Sequence, residues 1–266
     1  ESDMTTVVSA SQQLDAVGDR LGTGTGLASE IFAVVDILNR ESGLRRAVSD
    51  TSSEARARQG LMDAVFTSKV SPDCRELLGE TTTCKWRSPA ALTRALERQG
   101  VRAVLRGARQ ADRFEAVADE LFHVSRLVRG QAALQVALGD PNRSVADRQE
   151  LLTTLVGDCV GEDTLTLARR AVVASDSTFE QEIDGYLHIA AEMADRKRAI
   201  VTTARALTDV QRAEVVKQLE RITGSPIELS EVVDPAVLGG ALINLGDEVI
   251  DSTVAHRLDQ ARRELG

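Results

Sequence analysis

Residues 27–50 read LASEIFAVVDILNRESGLRRAVSD, and residues 117–140, 90 positions later, read VADELFHVSRLVRGQAALQVALGD. Identical residues recur at this spacing without a gap over residues 27–78, in thirteen pairs where about three or four would arise by chance. The first members of these pairs are Ala28, Glu30, Phe32, Val34, Leu44, Ala47, Asp50, Arg58, Gln59, Leu61, Val70, Asp73 and Leu77. A duplicated domain is the simplest explanation of such a repeat.

Apolar residues follow a helical period in both copies. One stripe comprises Leu27, Ile31, Val34, Val35 and Leu38, and another comprises Val117, Leu121, Val124 and Val128. Ser88-Pro89 has the form of a helix cap and first helical residue, and Ser177-x-x-Glu180 has the form of a capping box. Asp140-Pro141-Asn142 predicts a break between helices. The pattern predicts two helical bundles, each with stripes that other helices cover.

The period changes after about residue 198. Residues 200–204 read as a short strand, and Thr208-x-x-Gln211 is a capping box that opens a helix. Gly224 then suits a helix end, and further strands are predicted around residues 227–230, 237–243 and 249–250, with a final helix over 252–265. The predicted fold class is therefore mainly α, with two duplicated helical bundles followed by a small α+β domain.

Composition excludes several function classes. The chain of 266 residues carries a net charge of −9, which argues against a nucleic-acid or anionic-membrane surface because such surfaces need clustered Lys and Arg. No stretch approaches the roughly 18 apolar residues of a membrane span, and the first residues do not form a signal peptide. Glu1 as first residue suggests a fragment.

No group of residues has the spacing of a catalytic, cofactor or metal site. Cys74, Cys84 and Cys159 form no CxxC pair, and reduced thiols are favoured over a bridge between the first two. His123, His188 and His256 lack partners at the spacing of a triad, and the Gly22–Gly26 run lacks the ending of a P-loop and is interpreted as a flexible interhelical loop. Several carboxylates, Glu120 among them, are interpreted as solvated helix faces. We therefore expect a protein without enzymatic activity, cofactor or metal.

A long segment near the C-terminus, residues 233–251, reads VDPAVLGGALINLGDEVID. It resembles the C-terminal signature of the ATP synthase delta subunit and its mitochondrial counterpart, the oligomycin-sensitivity-conferring protein. The residues that carry this resemblance are Val233, Pro235, Leu238, Gly239, Gly240, Gly246, Asp247 and Asp251. The glycines suit close approaches and turns, so the signature is interpreted as structural.

The resemblance extends over residues 100–266 and implies a helical bundle followed by a small mixed domain. An additional copy of the bundle, at about residues 10–95, resembles the fused stalk-and-delta polypeptide of mycobacteria, which implies that a stalk portion precedes this sequence. The expected domains are an extra bundle over residues 1–98, the usual bundle over 99–197 and a C-terminal stalk-binding domain over 198–266.

By this resemblance the chain is a stator subunit that links the catalytic head to the peripheral stalk on the cytoplasmic face of the bacterial membrane. The partners implied are alpha subunits of the head, with beta subunits as a further candidate, and a b-type stalk subunit. An alpha-subunit helix would lie in a groove whose candidate residues are Val117, Leu121, Val124 and Leu127. The extra bundle would bind a second such helix or act as a spacer. The alternative is a regulatory helical adaptor, which leaves the C-terminal signature unexplained.

Overall fold

A computed structural model describes residues 10–174, 177–194, 197–223, 227–235, 237, 241–245 and 248–251. Two compact units divide the chain, one up to Ala190 and one from Ala191 onward. The predicted class, mainly helical with a small C-terminal α+β part, is confirmed.

Eleven helices make up most of the described part before residue 195. They are α1 Ala10–Gly18, α2 Thr25–Arg40, α3 Ser42–Ser49, α4 Ala55–Phe66, α5 Pro72–Thr83, α6 Pro89–Gln110, α7 Phe114–Arg129, α8 Ala132–Gly139, α9 Val145–Val156, α10 Glu162–Ala171 and α11 Phe179–Ala194. Helices α2 to α5 recur as α7 to α10 at the spacing of 90 residues, and the bounds of α3 and α4 recur without any shift in α8 and α9. The sequence repeat is thus a repeat of helices.

Helix α6 joins the two copies without a break over 22 residues. Its first part is equivalent in the repeat to α11, and its second part is equivalent to α1. The boundary expected between residues 98 and 99 therefore falls inside one continuous helix. The division into two bundle domains stays a proposal, and its junction is a shared helix.

The helix caps agree with the sequence in one case and differ in another. Ser88 caps α6 as predicted, since its hydroxyl accepts a hydrogen bond from the amide of Ala91, and Pro89 is the first helical residue. The capping box predicted at Ser177 is wrong by one residue. Thr178 and Gln181 exchange the two hydrogen bonds instead, at 2.9 and 3.3 Å, because α11 begins at Phe179.

Several identities in the repeat are polar because they make the same hydrogen bond twice. Glu30 accepts from the amide of Ser71 at 2.8 Å, and Glu120 accepts from the amide of Gly161 at 2.8 Å. Asp50 and Asp140 likewise each accept from the amide two residues later, that of Ser52 and that of Asn142, at 2.9 Å. Arg58 and Arg148 also donate to backbone carbonyls, although to ones that are not equivalent in the repeat, Asp50 and Thr82 for the first and Leu138 for the second. Buried backbone groups need such partners, so these positions are constrained by structure.

The second unit contains a mixed sheet and one helix with described bounds. They are β1 Lys197–Thr203, α12 Asp209–Thr223, β2 Ile227–Val233, β3 Ala241–Leu245 and β4 Glu248–Asp251, with strand order β2-β1-β3-β4. β1 and β2 are parallel, and the other neighbours are antiparallel. Thr208 and Gln211 form the predicted capping box of α12.

A small aliphatic core holds this unit together. Ala199, Val201, Leu219, Ile227 and Leu229 are buried, so both apolar residues of the strand predicted around residues 227–230 lie in this core. Gly224 and the helix predicted over residues 252–265 lie outside the described residues.

Candidate functional site

An apolar groove of about 600 Å³ lies between α7 and the end of α9. Val124 and Leu127 line it from α7, and Leu155 and Val156 line it from α9. Leu127 and Leu155 are 37% and 46% exposed, whereas Val124 and Val156 form its buried floor. Exposed leucines on either side of a concave apolar floor are the arrangement that accepts the apolar face of a helix.

The four residues that the sequence suggested for this groove separate into two pairs. Val124 and Leu127 line the groove, but Val117 and Leu121 are fully buried and belong to the core of the bundle. The physical reason is the 100° turn per residue, which directs Val117 and Leu121 inward and places Leu127 at the edge of the apolar stripe. Leu155 was not predicted, because α9 carries only a weak apolar pattern.

One wall of the groove is polar and held firmly by the bundle. Glu120 accepts hydrogen bonds from the amide of Gly161, the hydroxyl of Thr164 and the guanidinium of Arg113. Partial burial raises the pKa of Glu120, but these donors outweigh it and hold the pKa below its ordinary value. The interpretation of this carboxylate as part of a solvated face is therefore wrong, because it anchors the start of α10.

The cysteines differ in access. Cys159 is an exposed thiol at the end of the groove, whereas Cys74 and Cys84 are buried free thiols. Burial, with a smaller contribution from the charge of Glu30, raises the pKa of Cys74 to about 12. Only Cys159 therefore combines thiol chemistry with access to solvent.

The junction between the two copies is built around Arg170 of α10. Its guanidinium contacts the carboxylates of Asp36 on α2 and Glu97 on α6, each at 2.6 Å, and lies 4.8 Å from the ring centroid of Phe32. Tyr186 of α11 donates to Glu97 at 3.1 Å. This cluster joins four helices from both copies, and the sequence did not predict its ion pairs.

The Gly22–Gly26 run is an interhelical loop as predicted, but it is packed against α6. The amide of Gly24 donates to the carbonyl of Ala103 at 2.8 Å, and Gly24 adopts a φ of 94°, which favours glycine. A Cβ at Gly107 would lie 2.6 Å from the Cα of Gly24. The glycines thus permit a close approach of two backbones, and the flexibility expected of this loop stays a prediction.

A second polar cluster joins α1 to α6. Asp15 lies 2.9 Å from Arg98 and 3.4 Å from Arg102, and Asp19 lies 2.6 Å from Arg102. The side chain of Arg102 is only 1% exposed. Asp15 on α1 and Asp19 just after it thus neutralise arginines at a four-residue spacing on α6, and this fixes the first helix to the shared one.

Comparison with known proteins covers nearly the whole chain. The model of the family described as ATP synthase delta (OSCP) subunit matches residues 97–265. The chain belongs to this family. A protein of Cutibacterium acnes named ATP synthase subunit delta is 89% identical over 263 residues, which are 99% of this chain and 100% of that protein. A Nocardioides protein of the same name is 36% identical, over 96% of this chain and 92% of its own.

A solved chain from the Toxoplasma gondii mitochondrial ATP synthase hexamer also aligns with 62% of this delta-family chain and 94% of its own length. Its sequence identity is 20% and its TM-score is 0.27, so we base no argument on that superposition. Family membership rests on the sequence matches. As a delta (OSCP) subunit, the chain is a non-catalytic stator subunit of ATP synthase.

Three of the eight residues of the delta-family signature lie in the described part of the second unit. Val233 ends β2 and is half-exposed, Pro235 lies in an exposed turn, and Asp251 pairs with Leu242 in the sheet register. Leu238, Gly239, Gly240, Gly246 and Asp247 lie outside the described residues. The structural role predicted for these residues stays a prediction.

Neither a metal centre nor a membrane helix is found in the described ranges. No three His, Cys, Asp or Glu side chains there are grouped so that they could hold a metal ion. No described helix combines the length and apolar character that crossing a bilayer requires. In the described part of this delta subunit, the α7–α9 groove is an apolar cavity with a shape suited to binding a helix.

Proposed function

We propose that the α7–α9 groove binds an amphipathic N-terminal helix of an ATP synthase alpha subunit and thereby fixes the stator to the catalytic head. The exposed Leu127 and Leu155 on opposite sides of a buried apolar floor carry this proposal. A stator needs binding free energy and no catalytic group, because its task is to resist the torque of the rotor. Beta subunits are a further candidate contact of the same surface.

Hydrophobic anchors at helical spacing on the incoming helix suit this groove. Burying Leu127 and Leu155 removes apolar surface from water, at roughly 25 cal/mol per Å². The wall formed by Glu120 costs little to order on binding, because three donors already hold its carboxylate. A preformed groove of this kind favours binding of a helix without rearrangement of the bundle.

The second bundle is the favoured one of the two copies. At the positions equivalent to Leu127 and Leu155 the first bundle has Ile37 and Val65, and both are only partly exposed. Cys159 is replaced there by the charged Lys69. The first copy therefore offers less apolar surface, which supports its role as a spacer that braces the stator over a role as an equal second site.

Fluorescence polarisation of a labelled alpha-subunit N-terminal peptide, titrated with this chain, tests the proposal. Leu127→Asp and Leu155→Asp should each weaken binding at least tenfold, about 1.4 kcal/mol. Val136→Asp is the matched control, because Val136 is 71% exposed on α8 and does not line the groove. Absence of saturable binding, or an equal loss with the control variant, would refute the groove.

Deleting the first bundle is not a suitable test of whether it holds a second binding site, because the deletion would also remove part of α6, which belongs to both copies. The equivalent single substitution, Ile37→Asp, is therefore compared by the number of peptides bound per chain. An unchanged stoichiometry of one supports the spacer role of the first bundle. A stoichiometry of two that falls to one would show a second site.

We further propose that the second unit binds a b-type peripheral stalk subunit. Four large apolar side chains are exposed among the residues that the structure describes in this unit, namely Val210 at 80%, Ile222 at 67%, Val232 at 47% and Val233 at 51%. Val232 and Val233 lie on β2, which is an edge strand of the described sheet. Exposed apolar side chains on an edge strand favour association with another chain.

Co-sedimentation with a soluble b-type stalk segment tests this second contact. Val232→Lys should abolish binding, whereas Glu214→Lys on the exposed surface of α12 controls for added charge. Binding that survives Val232→Lys would place the stalk elsewhere. Through such a stalk the chain would be held peripherally at the cytoplasmic face of the bacterial membrane.

The adaptor alternative predicts a different result. A general helical adaptor would bind unrelated amphipathic peptides as tightly as the alpha-subunit peptide. A panel of two unrelated amphipathic helices in the same titration separates these functions, because the stator assignment requires a preference for the alpha-subunit sequence.

A further inference from the structure

The repeat places one phenylalanine in each copy at the same position of the same helix, and the two have opposite environments. Phe32 on α2 is 6% exposed, whereas Phe122 on α7 is 49% exposed. Phe32 and Phe122 occupy equivalent positions of equivalent helices, so their difference in exposure comes from the residues that cover each ring.

The ring of Phe32 is covered by the second copy. A Cβ at Gly100 of α6 would lie 2.3 Å from the ring, so the α6 backbone packs directly on it. Arg170 of α10 lies 4.8 Å from the ring centroid and also pairs with Asp36, one turn further along α2. Helix α10 thus covers this face of α2, because Arg170 lies over the ring of Phe32 and pairs with Asp36.

On α7 the residue four positions after the phenylalanine is Arg126, so the charge is reversed relative to Asp36. Arg126 lies 5.9 Å from the ring centroid of Phe122 and makes no ion pair with any described residue. Phe122 and Leu127 differ by five residues, about 140° around the helix, so the ring of Phe122 lies outside the α7–α9 groove. Arg126 lies at the border of that groove, since it is seven residues, about 20°, from the groove residue Asp119.

We propose that the Phe122–Arg126 face of α7 binds a helix of a partner subunit of the ATP synthase, in the way that α10 covers Phe32 and Asp36 in the first copy. The partner helix presents a carboxylate to Arg126 and an aliphatic or small side chain to the ring of Phe122. The proposal depends on membership of the complex and is independent of which helix occupies the α7–α9 groove.

Charge complementarity selects an acidic partner. In the first copy, the acidic Asp36 pairs with the basic Arg170 at 2.6 Å. Arg126 is basic at the position equivalent to Asp36, so its partner has to be acidic. A guanidinium beside an aromatic ring is partly desolvated when a helix covers both, and a carboxylate then compensates for the lost hydration. A basic helix on this face would leave two like charges together.

Photocrosslinking in the purified ATP synthase tests the proposal. The chain is assembled into the complex with p-benzoylphenylalanine at position 122, or at position 136 as an exposed control on α8. We expect an intersubunit crosslink from position 122, mapped by mass spectrometry to a helix with Asp or Glu within one turn of the attachment point. No crosslink above the level of position 136, or a crosslink to a helix without acidic residues or to a second copy of this chain, would overturn the proposal.

Substitution of Arg126 supplies a second readout. Arg126→Glu should lower the crosslink yield at least fivefold at low ionic strength, and Arg126→Lys should retain most of it. If the photoreactive residue at 122 prevents assembly, the same residue at Ala118, one turn earlier on this flank, replaces it. Binding of the alpha-subunit peptide to the groove should be unchanged in Phe122→Ala, because Phe122 does not line the groove, so a failure here is distinguishable from a failure of the groove proposal.

Discussion

The guanidinium of Arg170 lies 2.6 Å from the carboxylate of Asp36, although 134 residues separate them in the sequence. Asp36 belongs to the first copy of the repeat and Arg170 to the second. With Glu97 on the shared helix, this pair connects the copies directly. The first unit is consequently better described as one tandem body than as two modules joined by a linker.

Arg170→Met should lower the free energy of unfolding by roughly 2–4 kcal/mol. The side chain of Arg170 is 9% exposed, and its loss leaves Glu97 without its charge partner. Asp36 is 37% exposed, which limits the loss because water screens that carboxylate. Urea unfolding followed by circular dichroism measures this value.

Arg129→Met is the control, because its ion pair with Asp184 is about half exposed on both sides. We expect a change below about 1 kcal/mol. Equal effects of the two substitutions would show that the Arg170 cluster does not hold the copies together.

Gly100→Ala should destabilise the protein by about 1–3 kcal/mol, since the added Cβ would lie 2.3 Å from Phe32 and force the ring or the helix to move. Gly60→Ala in α4 has open space around the added Cβ, so it should instead stabilise by about 0.5–1 kcal/mol. The midpoints of thermal unfolding of the two variants are compared with that of the parent. A Gly100→Ala midpoint at or above the parent value would contradict the close packing of α2 on α6.

Stability should fall in acid through Asp15. Burial alone raises the pKa of Asp15, but the hydrogen bond from Arg98 and the charge of Arg102 outweigh it, so the folded-state pKa lies below the ordinary 3.8. A depressed pKa contributes stability that is present above pH 3.8 and is lost as the pH falls through the lower, folded value.

The Asp15→Asn variant should therefore be less stable than the parent at pH 7, and the difference should shrink as the pH falls below about 4. Urea unfolding at pH 7, 4 and 3 gives the two curves. A constant difference across this range would mean that ionisation of Asp15 does not stabilise the α1–α6 contact.

Cys159 should be the native thiol that reacts with a maleimide at neutral pH, because it is exposed and Cys74 and Cys84 are buried. Since Cys159 lines the groove, a saturating alpha-subunit peptide should slow its labelling at least fivefold. Mass spectrometry of peptides after timed quenching measures the rate at each cysteine. Labelling of Cys159 that is insensitive to the peptide would place the alpha-subunit helix elsewhere.

The sequence by itself determined the repeat, the helical class and the late change to a sheet. These follow from local rules: apolar residues at a period of 3.6 or 2, caps such as Ser88, and recurrence at a fixed spacing. The same rules placed Val117, Leu121, Val124 and Val128 in one stripe, and the groove candidates, which include Leu127, were taken from that side of α7, but periodicity marks only the side of a helix that faces other helices. It does not show where that side ends.

Tertiary structure alone decided which of those residues are accessible and how the copies are joined. Leu127 reaches the groove because α9 places Leu155 opposite it, and Arg170 meets Asp36 only after two helices pack on α6. Phe32 and Phe122 are indistinguishable by the repeat, yet one is covered and the other is half-exposed, because only the first has another bundle beside it. Burial of a side chain depends on residues that are distant in the chain, and the local sequence pattern does not predict which of them pack against it.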